Sequence, residues 1–338
     1  MKTLNTFQKY FVEEFYDDYR EGLISRRAFI RRLVFITGSM AAAAATMSAL
    51  GCAPAEVPDP TEPVPPPEPT ATTAPAAPAA TSEPAAGSVQ GGAVPDAKSP
   101  LSVPEGDPAV NASDITLDSQ GAQITGYLAQ PAAAGTYAAV LVCHENRGLT
   151  PHIRDVARRF AKAGYVALAL DLLSREGGTA TLDRDQIPGL LTDAGPERHV
   201  GDFTTAFAHL QGLEGVDGQR IGMTGFCFGG GITWRCATAL PDLKAAVPFY
   251  GPAPELEEVP NIKAAVLGVY AEQDERINAG IEPLQQALVE AGVTHEIKIY
   301  PGVNHAFHND TGERYDETQA TQAWNDMLAW FETHLRQV

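Results

Sequence analysis

Four short stretches of this chain carry side chains able to do covalent or proton-transfer chemistry, and each follows an apolar run. Cys227 stands in Gly225-Phe226-Cys227-Phe228-Gly229-Gly230, after Arg220-Ile221-Gly222-Met223-Thr224. His144 and Glu145 open His144-Glu145-Asn146-Arg147-Gly148, after the run 137–143. Asp274 closes Ala271-Glu272-Gln273-Asp274, and His305 lies in Asn304-His305-Ala306-Phe307. A strand, Gly-x-Cys-x-Gly-Gly and a helix make a nucleophile elbow with cysteine where serine is usual. The turn is tight enough to strain the backbone of the nucleophile. Glycines on either side let strand and helix pass close by, because they have no Cβ. A sulfur at a helix N-terminus sits where unpaired N–H groups favour a thiolate.

Nucleophile, acid, histidine is the chain order of α/β-hydrolase triads. Cys227 would attack an acyl carbon. His305 would keep it ionised, protonate the leaving group and activate water. Asp274 would fix the imidazole tautomer and stabilise its positive form. The backbone N–H groups of Phe228 and Asn146 would face the oxyanion. Rivals exist: Glu272 and Asp171 for the acid, His144 and His308 for the base, and an N-cap role for Asp274. Cys143 and Cys236 read as small core residues. His144 and Glu145 are adjacent, not at the spacing of a helical zinc motif, and the glycines around Cys227 lack the Lys-Ser/Thr of a phosphate loop. No metal and no cofactor is expected.

These residues need a scaffold. Periodicity predicts strands over 123–130, 137–143, 165–170, 220–224, 244–250, 263–270 and 295–300. It predicts helices over 152–163, 198–213, 231–240, 281–291 and 317–336. Strands alternating with helices imply an α/β fold, a mostly parallel sheet with helices on both faces. In such sheets reactive groups gather beyond the carboxyl ends of the strands, where all four stretches fall. The polar stretch 176–193 reads either as a cover over the site or as a surface loop.

On the quoted motifs, residues 113–335 resemble the dienelactone hydrolase family of the α/β-hydrolase superfamily. The resemblance implies an α/β-hydrolase fold and a Cys227, Asp274, His305 triad that opens small esters or lactones through an acyl thioester. It also implies that Glu145 sits against the thiol and helps take its proton. The sequence departs from the family where lactone-opening members carry an arginine four residues past the histidine. Asn309 stands there, with Arg314 further on, and Arg175 is the nearest candidate for a second family arginine. That departure weakens the expectation of an acid-bearing lactone. The reading from another class is a cell-envelope protein that keeps the fold without turnover, or that transfers the acyl group.

The 338 residues carry a net charge of -18, which argues against nucleic acid as a partner. Four cysteines make no disulfide framework. Ser25-Arg26-Arg27-Ala28-Phe29-Ile30-Arg31, a mildly apolar run to Leu50, and Gly51-Cys52 read as a twin-arginine signal over 1–52. Cys52 is the candidate lipidation site. The implied destination is extracytoplasmic, with membrane contact only through this anchor. Residues 53–111 read as a disordered Pro/Ala-rich linker, and 112–338 as one globular domain. Phe7, Tyr10, Phe11 and Phe15 fit a short amphipathic helix to which the sequence assigns no role. Oligomeric state is not legible.

Overall fold

The computed structural model describes residues 4–50 and 94–336, so Cys52 and residues 53–93 lie outside the described residues. Three helices come first: α1 (Thr6–Arg20), α2 (Arg26–Thr37) and α3 (Met40–Ala49). The remainder runs β1 (Val110–Ser119), β2 (Ala122–Pro131), β3 (Tyr137–Cys143), α4 (Pro151–Lys162), β4 (Val166–Leu170), α5 (Ile187–Ala194) and α6 (Pro196–Gln211). It continues through β5 (Val216–Phe226), α7 (Phe228–Ala239), β6 (Ala245–Phe249), β7 (Ala265–Ala271), α8 (Glu275–Asn278), α9 (Ile281–Glu290), β8 (His295–Tyr300) and α10 (Glu317–Phe331).

The strands form one eight-stranded sheet in the order β1-β2-β4-β3-β5-β6-β7-β8. β1 and β2 pair antiparallel through a two-residue turn, and β2 meets β4 antiparallel. Every later pairing is parallel. Gln120 and Gly121 form that turn with φ of 52° and 75°, the left-handed pair that a two-residue hairpin favours. β3, β4, β6 and β7 are buried almost throughout, as parallel strands covered on both faces must be. α4 and α10 share one face, where Phe160 packs on Trp324 with ring centroids 4.8 Å apart. α6 and α7 pack together on the other. This is the α/β-hydrolase architecture expected.

The strand before the elbow is longer than the apolar run suggests, because its first five residues are only partly covered. β1 escapes a periodicity search because it is an edge strand with a mostly exposed face. The stretch 176–193 holds one short 3-10 turn, Thr179–Thr181, and most of α5, whose Ile187 and Leu191 are buried. Residues 94–109 already lie on the domain: Val103 is buried and its N–H donates to Asp155 at 2.7 Å.

The N-terminal helices also pack on the domain. α1 opens with a reciprocal cap between Asn5 and Gln8. It buries Phe7, Tyr10, Phe11 and Phe15, and α2 buries Phe29, Leu33 and Ile36, with α5 as its neighbour. Among the described residues no single helix is long and apolar enough to cross a membrane. α2 and α3 pass that test together but are bent by 113° at their junction.

Candidate active site

The elbow forms where β5 runs into α7. Cys227 has φ 58° and ψ −120°, a backbone state that L-residues seldom adopt and that the surrounding structure must hold. Its N–H donates to the Phe249 carbonyl at 3.0 Å, and its own carbonyl accepts from Gly230 and Gly231 to start α7. A Cβ on Gly229 would come within 2.5 Å of the Cys143 and His144 carbonyl oxygens, so the approach of α7 to the end of β3 requires glycine. The β4-β3-β5 order makes this a topological switch point, the usual place for a site in an open α/β sheet.

The ends of β7 and β8 bring in the other groups. His305 Nδ1 lies 2.5 Å from Asp274 Oδ2. Asp274 Oδ1 accepts from the Ile277 N–H at the start of α8, so one carboxylate both caps a helix and orients the imidazole. Burial works against charge on Asp274. His305, both as a charge and as a hydrogen-bond partner, and then Arg276, outweigh it and hold the carboxyl below its ordinary range. The other ring nitrogen, His305 Nε2, points toward Cys227. The Phe228 N–H also faces the sulfur.

The rivals have other work. His144 Nδ1 meets the Glu145 carbonyl and Nε2 accepts from the Leu172 N–H, which leaves no free ring nitrogen. His308 stacks on Phe226 inside the core. Glu272 accepts from the Gly302 N–H, and Asp171 from the N–H groups of Leu173 and Thr179. Arg175 is held bidentate by buried Asp202, with contacts of 2.6 and 2.8 Å, and is not among the residues lining the cavity beside Cys227. Asn309 donates to Glu145 at 2.5 Å, and Arg314 is paired with Glu21 and Asp18. Cys143 and Cys236 are buried and free.

Two residues of α1 enter the site, and sequence reasoning did not place them there. Tyr10 Oη lies 3.2 Å from Cys227 Sγ and 3.5 Å from His305 Nε2. Both carboxylate oxygens of Glu14 stand 3.5 Å from the sulfur, and Oε1 accepts from Asn146 Nδ2 at 2.5 Å. Arg276 lies over the Tyr10 ring, 4.5 Å from its centre. The signal was present in the spacing: Tyr10, Glu14 and Asp18 recur every four residues on one helix face. Burial above all, then the charges of Glu14 and Glu145, push the Cys227 thiol well above its ordinary value, which disfavours the thiolate.

A cavity of about 760 Å³ opens beside the sulfur, lined among others by Glu14, Glu145, Arg147, Arg184, His305 and Asn309. That volume suits a small molecule. Donor atoms of Glu14, Cys227 and His305 lie within 4.8 Å of one another. Such a set would suit a divalent zinc-like cation, which would tie up the thiol and the imidazole together.

The family model described as dienelactone hydrolase matches residues 124–335. A Salmonella typhi protein named "Putative carboxymethylenebutenolidase" is 37% identical over 254 residues, covering 71% of this chain and 93% of its own. A Methylorubrum extorquens protein of the same name is 36% identical over 233 residues, covering 65% and 80%. A crystal structure described as a "Putative Dienelactone Hydrolase" from Klebsiella pneumoniae superposes with a TM-score of 0.63 at 34% identity. It covers 67% of this chain and 100% of that one.

Proposed function

Because the chain belongs to the dienelactone hydrolase family and is thereby a hydrolase of ester or lactone bonds, we propose that it cleaves small esters or lactones with Cys227 as nucleophile. The observation that carries this is the span between Cys227 Sγ and His305 Nε2. One hydroxyl, that of Tyr10, reaches both atoms, and Asp274 anchors the far side of the imidazole. An oxygen of a bound acyl group placed there would meet nucleophile and base together.

In this account the thiol proton passes to a neighbouring base as substrate binds, and the thiolate adds to the acyl carbon. Glu145, buried at the cavity wall and contributing to the raised thiol pKa, is the family's candidate for that proton. Phe228 and Asn146 N–H groups would hold the oxyanion. The thiol proton would pass from Glu145 to His305, whose imidazolium would protonate the leaving oxygen. The neutral imidazole would then take a proton from the attacking water and hand it to the departing sulfur, which releases the acid and restores the thiol. Asp274 would stabilise the imidazolium formed on the way. Asn309 and Arg314 face the cavity and would touch substrate; Arg175 would not. Wild type and Cys227→Ala should differ in hydrolysis of p-nitrophenyl acetate by about 10³-fold or more. Equal rates in protein whose Cys227 is open to iodoacetamide would reject the nucleophile.

We further infer export. The support is the Ser25–Arg31 sequence and the apolar run behind it. Sequencing the N-terminus of the protein recovered from cells tests this: a chain beginning at Cys52 supports the lipidated form, and one beginning at Met1 in the soluble fraction argues against export.

A further inference from the structure

We propose that α1 is a tethered plug, which closes the nucleophile site of its own chain until it swings away. The proposal rests on the reading of Cys227 as nucleophile. Cys227 is only 3% exposed with α1 in place. The cavity reaches the sulfur from one side, but Tyr10 fills the gap between sulfur and imidazole, where an acyl group would have to sit. Glu14 sets a carboxylate against the sulfur, which disfavours the thiolate that attack requires.

The docking surface is built from the catalytic loops themselves. Phe7 and Phe11 pack on Phe228, the residue after the nucleophile, with ring centroids 5.3 and 5.6 Å apart. Glu14 accepts from Asn146, the residue after Glu145. Tyr10 lies under Arg276, two residues past Asp274. Glu21 accepts from Asn304, the residue before His305, and pairs with Arg314 at 2.7 Å. One helix thus engages all four loops, with an aromatic centre and a charged rim. Nothing in the sheet requires it: the family match begins at residue 124, and the Klebsiella structure is complete on two-thirds of this chain.

The same contact hides part of the twin-arginine stretch. Phe29 is fully buried and stacks on Tyr19 of α1, centroids 5.3 Å apart. Release of α1 with α2 would therefore expose the nucleophile gap and the Phe29 side chain in one event. A two-state element that masks both would keep the unreleased chain latent.

The test uses the full chain. Phe11→Asp places a charge in the apolar contact with Phe228, and Glu21→Arg sets a repulsive charge beside Arg314 at the half-exposed rim. Iodoacetamide labelling of Cys227, located by peptide mass, and p-nitrophenyl acetate hydrolysis are measured together. Both rates scale with the open fraction, so Phe11→Asp should raise them about tenfold or more and Glu21→Arg by a smaller factor. A synthetic peptide of residues 5–21 should bring both back down. Faster labelling without hydrolysis in either variant would support the plug and reject the hydrolytic reading instead. Unchanged or slower labelling in both variants would overturn the plug, and a fall in turnover for Glu21→Arg would show α1 to be a working part of the site.

Discussion

Asp274→Asn is the perturbation whose size follows most directly from the geometry. Asp274 Oδ2 lies 2.5 Å from His305 Nδ1, and both side chains are about 5% exposed. In the proposed mechanism the thiol proton reaches the imidazole through Glu145, and the Asp274 carboxylate would stabilise the charge formed there. Taking charge centres about 4 Å apart and an effective dielectric of about 20, the attraction is roughly 4 kcal/mol. Losing it should slow turnover by about three orders of magnitude. Asparagine also aims an N–H₂ at Nδ1 and favours the tautomer whose Nε2 cannot accept a proton. Its amide oxygen can still cap α8 through the Ile277 N–H, so the fold should hold. The assay is p-nitrophenyl acetate hydrolysis in the Phe11→Asp background, with the melting temperature followed in parallel. The expected result is kcat down about 10³-fold, with KM within about threefold. A variant within threefold of its parent, with unchanged melting, would refute the role given to Asp274.

Gly229→Ala would push a Cβ against two backbone carbonyls that cannot yield, so it should cost about 1–3 kcal/mol of stability and lower activity together, read by urea unfolding and turnover. Arg175→Ala should cost about 3–5 kcal/mol, because it strands the buried carboxylate of Asp202, yet leave KM unchanged; a raised KM would put Arg175 back in the site. Acid stability should turn on depressed carboxyls. Asp310 is buried, accepts from Arg159 at 2.6 Å and has its carboxyl well below the ordinary range despite burial, and Asp274 is depressed too. A group with a folded pKa below its unfolded one stabilises above the unfolded value and loses that contribution as pH falls through the folded one. Circular dichroism should therefore show unfolding only below about pH 4, and at higher pH for Asp310→Asn.

Much of the scaffold is legible in the sequence because its strands are buried on both faces and read as unbroken apolar runs, as 137–143 and 166–170 do. The elbow is legible because its glycines have a steric reason that no other residue satisfies. What stays hidden depends on distance along the chain. Arg175 is near the right place in sequence, but Asp202 folds back to claim it. Asn309 looks like a missing arginine, and its amide instead holds Glu145. Tyr10 meets Cys227 across 217 residues, and a segment set aside as a leader gives no reason to look for that contact.

Direct capture of the acyl-enzyme tests the central claim. The Phe11→Asp protein would be mixed with excess p-nitrophenyl acetate, quenched in acid within seconds and its peptides weighed. The account predicts one acetyl group on the peptide carrying Cys227, removed by hydroxylamine and lost in Cys227→Ala. Turnover with no adduct at Cys227, or with the adduct on another side chain, would contradict it.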